Sequence, residues 1–244
     1  MTIFRSALFM LWFALVTAII AIVCLPALVL SRRASAWVGR QWSAATLFGL
    51  KLCAGLDYEV RGVLPKGAVL VASKHMSMWD TLALYLLLKD PAIVLKRELL
   101  RVPFYGWYLK GAGSIAIDRQ AGAGALRRMS HAAEKVMRQG RPVLIFPEGT
   151  RKKPEAAPDY KPGVAGLYGQ MGVSCIPVAL NSGLFWTGPG GFLKKRGRIV
   201  VEFLPAIPAG LKRAEFMAVL KGRIEDATRK LLIEGRTLLN AQNA

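Results

Sequence analysis

The sequence predicts an α/β domain with a mixed, largely parallel sheet flanked by helices, preceded by an N-terminal membrane-associated helical pair. Two observations carry this expectation. After Asp57, short apolar runs of strand length alternate with longer stretches of helical periodicity, the pattern of a sheet covered by crossover helices. Before it, Ala7 to Leu30 contains no charged residue and is rich in Leu, Ile, Val, Phe and Trp. That run exceeds the roughly 20 apolar residues needed to cross a bilayer core. The 244 residues suit one good-sized core, so residues 1–56 are expected as anchoring helices and residues 57–244 as a single functional domain.

Within the first segment, Pro26 is expected to end or kink the helix, because it donates no N–H and clashes with the preceding turn. A cleaved leader fits less well. The apolar run is longer than a leader core, and the A-x-A-like triplet Ala34-Ser35-Ala36 lies beyond Arg32 and Arg33. Val23 is bulkier than the residue that usually precedes a lipoprotein cysteine such as Cys24 would be. Arg5, Arg32, Arg33, Arg40 and Lys51 are accompanied by no acidic residue through Leu56, and most follow the apolar run. The positive-inside tendency then places the remainder at the cytoplasmic face of the inner (cytoplasmic) membrane. From Trp37 to Leu52 a second helical stretch with two tryptophans and polar breaks either lies in the interface or returns into the bilayer.

The expected strands are Tyr58 to Val63, Ala68 to Ser73, Ala92 to Leu95, Ser114 to Ile117, Pro142 to Phe146, Cys175 to Leu180 and Arg198 to Leu204. Helical patterns fit Trp79 to Leu88, Leu99 to Lys110, Ala123 to Arg138, Gly163 to Met171 and Lys212 to Glu234. In the last, Met217, Leu220, Ile224, Ala227 and Leu231 form one apolar side, an ordinary packing stripe.

Composition narrows the partners. Formal charge is +19, with a pI near 10.4 and a positive mean hydropathy of +0.34. A basic nucleic-acid binder usually draws its charge from a polar chain, whereas basic plus apolar suits anionic membrane lipids, where each Lys or Arg gains about 1 kcal/mol. No nucleic-acid partner is expected. The basic run Lys194-Lys195-Arg196-Gly197-Arg198, close after Phe185, Trp186 and Phe192, suits a nucleic-acid patch or an interfacial one, and beside an N-terminal anchor it is read as facing lipid headgroups or the acyl donor. Cys24, Cys53 and Cys175 are far apart and next to no His or Cys, so neither a disulfide framework nor a metal site is read from them.

Only two histidines exist, His75 and His131. His131 sits within a helical pattern and reads as a surface or core-edge residue. His75 follows an apolar strand and precedes a helix, at the strand's carboxyl end, where open α/β sheets bind ligands. Asp80 comes five residues later at the helix start. On a regular helix the two side chains would diverge by roughly 140°, so they meet only across a bend. If they meet, the imidazole can take a proton from an alcohol while the carboxylate fixes its tautomer, which is the base-and-orienter half of a hydrolase triad without an enzyme serine. Ser77-Met78-Trp79-Asp80 is equally a helix capping box.

A second cluster, Phe146-Pro147-Glu148-Gly149-Thr150-Arg151, follows another apolar strand. Glu148 can accept from a hydroxyl, Gly149 permits close backbone approach and Arg151 can fork phosphate oxygens. The same residues also suit a plain turn. Gly113 to Arg119 ends a third strand in a charged pair, and Ile176-Pro177-Val178-Ala179 reads as wall.

Taken together and in this order, the four blocks resemble the glycerolipid acyltransferases, in particular the 1-acylglycerol-3-phosphate acyltransferases. The blocks are Lys74 to Asp80, Gly113 to Arg119, Phe146 to Arg151 and Ile176 to Ala179, with Lys96-Arg97-Glu98-Leu99 and Val102 to Trp107 between the first two. The resemblance covers about Tyr58 to Leu204. It implies acyl transfer from an acyl-carrier-protein or acyl-CoA thioester to the free hydroxyl of lysophosphatidic acid, with the thioester as co-substrate and no metal or other cofactor. It further implies His75 as base and Asp80 as its partner, Glu148, Gly149 and Thr150 at the glycerol part, and Arg119, Arg151 and Lys96 at the phosphate. Lys74 stands where the family often has Asn, and Ala116 where a bulkier residue is common. The same chemistry on another acceptor, such as a lyso-ornithine lipid, is the near alternative. A non-catalytic membrane-surface or nucleic-acid binding protein is the distant one.

Overall fold

The computed structural model describes residues 1–118, 122–187 and 191–243. Helix α1 (Thr2–Val23) ends where Pro26 interrupts the N–H ladder, and a single turn, α2 (Ala27–Leu30), follows. Ser31 then caps α3 (Arg32–Gly49), its Oγ accepting from Ala34 N at 3.0 Å. A π-helical turn, Leu50–Ala54, ends in left-handed Gly55 and feeds the sheet.

Helices α1 and α3 run in opposite directions. Trp12 Nε1 donates to Ala45 O (2.9 Å) and Trp42 Nε1 to Thr17 Oγ1 (2.9 Å). A Cβ at Gly49 would lie 2.0 Å from the Trp12 ring, so only glycine permits this approach. Among the described residues α1 is the one helix long and apolar enough to cross a membrane; the polar breaks of α3 set it apart. One stripe of α1 faces the domain: Phe9 is fully buried, edge-on to Trp186 at 5.5 Å, and Ser6 Oγ accepts from Lys194 N at 2.9 Å. Ile3, Phe4, Leu11, Leu15, Ile19 and Ile22 on the same helix are exposed.

The domain proper is a seven-stranded sheet in the order β1-β7-β6-β2-β5-β3-β4, built from β1 (Leu56–Gly62), β2 (Leu70–Ser73), β3 (Ala92–Lys96), β4 (Ile115–Ile117), β5 (Val143–Ile145), β6 (Cys175–Leu180) and β7 (Gly197–Phe203). Every pairing is parallel except β6 with β7. Alternate residues serve two cores. Val71 of β2 and Leu144 of β5 face α4 (Met78–Leu87), whereas Leu70, Ala72, Val143 and Ile145 face α6 (Gly122–Arg138), α7 (Gly163–Met171) and α8 (Arg213–Asn243). A sheet covered on both faces accounts for strands that read as continuous apolar runs.

Two helices differ from expectation. The Leu99 to Lys110 pattern is divided into a 3₁₀ turn, Arg97–Arg101, and α5 (Tyr105–Gly111). Pro103 is the cause, since it drives Val102 into extended geometry (φ −69°, ψ 119°) and Phe104 then takes φ +59° to start α5. The last helix continues past Glu234 to Asn243, where Leu239 packs against the core.

Candidate active site

The sheet register fixes where the functional loops meet. Ser73 of β2 lies opposite Val178 of β6, and Ala72 opposite Ile145 of β5, so β2 and β5 end within one residue of each other and β6 runs two residues further. The segments leaving them carry His75, Glu148 and Ser182.

After β2 the chain turns through Lys74 to Ser77 before α4 begins, and this turn supplies the bend that the spacing demands. His75 Nδ1 lies 3.0 Å from Asp80 Oδ2. The same oxygen accepts from Met76 N (2.6 Å) and Ser77 N (2.9 Å), so Asp80 both caps α4 and orients the histidine. Its other oxygen accepts from Ser77 Oγ (3.2 Å) and Ser182 Oγ (2.5 Å), and Ser77 Oγ is 2.9 Å from Ser182 Oγ. Asp80 is fully buried, and these five contacts replace the water that a buried carboxylate loses. Phe146 stacks on the His75 ring at 3.9 Å with 20° between planes, which holds the imidazole edge-out. His75 itself keeps 12 % of its side chain exposed, whereas Asp80 is fully covered.

Beneath the turn lies a buried charge cluster. Lys74 Nζ contacts Glu148 Oε1 (2.8 Å) and Glu225 Oε1 (2.9 Å) of α8, and Tyr160 donates its hydroxyl to Glu225 at 2.8 Å. Glu148 Oε2 accepts the backbone N–H of His75 at 3.2 Å. Burial pushes the Glu148 carboxyl above its ordinary range; Lys74 and the His75 N–H oppose the rise, and Glu225 adds to it. Gly149 takes φ +65° and donates to Phe146 O at 2.9 Å, a turn that glycine makes without strain.

Of the residues singled out in the sequence, the structure brings together His75, Asp80 and Glu148. Glu148 has both oxygens engaged by Lys74 and the His75 amide rather than presented to the open face. Thr150, Arg151 and Lys96 are exposed, Lys96 at the end of β3. Burial raises the Tyr105 phenol of α5, and the Arg151 cation opposes that rise. Arg119 lies outside the described residues. His131 is exposed on α6. Among the described residues no three His, Cys, Asp or Glu side chains group as metal ligands. Sequence reasoning passed over Ser182, although a polar Asn181-Ser182-Gly183 directly after an apolar strand carries the same strand-end signal as His75. It also passed over Tyr160 and Glu225, for which no local signal exists.

The acyltransferase family profile matches residues 57–181. The chain is 35 % identical over 191 residues to the 1-acyl-sn-glycerol-3-phosphate acyltransferase of Pseudomonas aeruginosa, covering 78 % of this chain and 74 % of that protein. It is 29 % identical over 184 residues to the lyso-ornithine lipid O-acyltransferase of the same organism, covering 68 % and 70 %. The crystal structure of the 1-acyl-sn-glycerophosphate acyltransferase from Thermotoga maritima superposes with a TM-score of 0.77 over 95 % of this chain and 98 % of that one, at 18 % identity, a likeness of fold. The profile match over residues 57–181 and the 35 % identity to the Pseudomonas aeruginosa acyltransferase make this chain a member of the acyltransferase family and an O-acyltransferase, with the His75 and Asp80 pair inside the matched segment.

Proposed function

We propose that the protein transfers a fatty acyl group from an acyl-carrier-protein or CoA thioester to the sn-2 hydroxyl of 1-acylglycerol-3-phosphate, giving phosphatidic acid. The supporting observation is the 3.0 Å contact between His75 Nδ1 and Asp80. With Nδ1 donating to the carboxylate, Nε2 carries the lone pair and accepts the acceptor's hydroxyl proton. The oxygen then attacks the thioester carbonyl, the C–S bond breaks, and the leaving sulfur takes the proton from the imidazolium, which releases the free thiol and restores the neutral imidazole. The serines nearest the pair, Ser77 and Ser182, are buried and turn their hydroxyls to Asp80, which suits direct transfer without an acyl-enzyme. Arg151, Lys96 and Arg119 take the acceptor phosphate in this scheme. Glu148, with Gly149 shaping its loop, holds the His75 backbone, and Thr150 lies at the glycerol. No cofactor enters beyond the thioester. Residues 1–56 attach the protein to anionic lipids of the inner membrane with the domain on the cytoplasmic side, supported by α1 and by the basic residues that flank it.

Purified protein in detergent, given lysophosphatidic acid and either thioester, is expected to release free thiol, and His75→Ala to abolish release while keeping the melting temperature. Near-normal turnover by that variant, or an acyl adduct trapped on the protein, sinks the mechanism. An acceptor panel separates the lyso-ornithine alternative: Arg151→Ala should raise KM for the phosphate acceptor and leave a phosphate-free acceptor unaffected.

A further inference from the structure

A crevice of about 1110 Å³ opens at the carboxyl edge of the sheet, on the flank of β6 and β7. Arg5 of α1, Lys153 after β5, Lys195 and Arg196 before β7, and Arg236 of α8 all line it. Glu155 is the one acidic lining residue among those described, and it is held by Arg236. Cations scattered over a convex surface are ordinary. Cations from four separate segments converging on one concavity repel one another, and a cleft of that kind concentrates multiply charged anions.

Two contacts place the crevice against the reacting turn. Gly183, in its lining, sits so close to the turn that an added Cβ would come 3.0 Å from both Met76, the residue after His75, and Pro154. Lys152, whose amide donates to His75 O at 2.8 Å, immediately precedes Lys153. Both walls are therefore one or two residues from His75. The exposed Lys96 lies on the opposite flank, after β3, with β2 and β5 between. A two-substrate transfer with two anionic substrates needs two basic sites on either side of the base, and this arrangement supplies the second.

We infer that the crevice binds the phosphate-bearing end of the acyl thioester donor, with the pantetheine arm directed toward the adjoining His75 turn. The inference rests on the acyltransfer reading and locates its donor. The shared chemistry is a phosphate ester on pantetheine, supplied either by CoA or by a carrier protein.

The test is Lys153→Glu/Lys195→Glu in the full chain in detergent, with melting temperature as the folding control. KM for the donor is expected to rise about tenfold or more, with kcat and acceptor KM within about twofold. Acyl-CoA and acyl-carrier-protein are assayed separately, with 3′,5′-ADP as competitor. A rise for both assigns the crevice to the common phosphate, and a rise for one assigns it to that donor. Unchanged KM for both donors, or a rise in acceptor KM instead, overturns the inference. Calorimetry of CoA and holo-carrier protein binding to His75→Ala, with and without the charge reversals, keeps the two claims distinct. Equal binding overturns the crevice whatever the activity, whereas absence of turnover in the wild type overturns the acyltransfer reading alone.

Discussion

An Asp80→Asn enzyme keeps the shape of the buried carboxylate and removes its charge. Oδ2 faces three N–H groups, from Met76 (2.6 Å), Ser77 (2.9 Å) and His75 (3.0 Å), whereas Oδ1 faces only the hydroxyls of Ser77 and Ser182. An amide NH₂ at Oδ2 would oppose two fixed backbone donors, but a hydroxyl can rotate to accept. The asparagine is therefore expected to put its carbonyl at Oδ2 and preserve the Nδ1-protonated tautomer. What is lost is the anion beside the imidazolium formed during transfer. At 3.0 Å and an effective dielectric of ~20 that attraction is about 5 kcal/mol, and the retained hydrogen bond offsets part of it. A barrier increase of roughly 3 to 5 kcal/mol corresponds to about 10² to 10⁴ in kcat. Thiol release under saturating substrates measures the loss. Because the chain has only two histidines, ¹⁵N-histidine NMR reads the tautomer of His75 against His131 alone. A variant keeping more than about a tenth of wild-type kcat, or a wild type protonated at Nε2 instead of Nδ1, would refute the reasoning.

Ser182→Ala removes one of the two hydroxyls at Asp80 Oδ1, and about 1 to 2 kcal/mol should appear as a five- to thirtyfold fall in kcat at constant KM; an unchanged kcat would mean that Ser77 alone suffices. Lys74→Met leaves Glu148 and Glu225 with no cation between them, and denaturant titration should show about 3 to 5 kcal/mol of lost stability, part of it restored by adding Glu148→Gln. Lys194 is buried among Phe9, Trp186 and Phe192 and hydrogen-bonds to the Gly191 and Phe192 carbonyls, and burial lowers its pKa from 10.5 to about 8. Below pH 8 the folded and unfolded states both hold that proton and the cost of burying the charge is full. Between about 8 and 10.5 the folded state releases it first, so stability rises with pH. Melting temperature should climb across that window in the wild type and climb less in Lys194→Met, and equal slopes would remove Lys194 as the source.

The central strands were legible because they are largely covered runs; β2 and β5 are buried at every position, so composition alone marks them. Pro103 was visible but was overridden by the apolar residues around it, and the division of that helix follows from the proline's effect on Val102. The end of α8 was not legible, since its polar tail is held by the distant packing of Leu239. The same distinction runs through the site. His75 and Asp80 are five residues apart, so their bend was deducible, whereas Ser182 reaches Asp80 across 102 residues and Glu225 reaches Lys74 across 151. Contacts at such separation are set by sheet order, which no local pattern encodes.

Lys74 shows what the distant contacts add. An asparagine there would offer Glu148 a neutral donor. A lysine brings a full charge into a site where it is 1 % exposed, and a single carboxylate leaves its remaining N–H groups unmatched. Glu225 supplies the second acceptor and Tyr160 fixes Glu225 in turn. Burial raises the Glu148 carboxyl, Lys74 and the His75 N–H oppose the rise, and Glu225 adds the least to it. Since Glu148 also holds the His75 backbone N–H, helix α8 is connected to His75 through two ion pairs and one hydrogen bond. Helix α8 therefore does more than cover the sheet: its Glu225 gives Lys74 a second acceptor and, through Lys74 and Glu148, is linked to the His75 backbone.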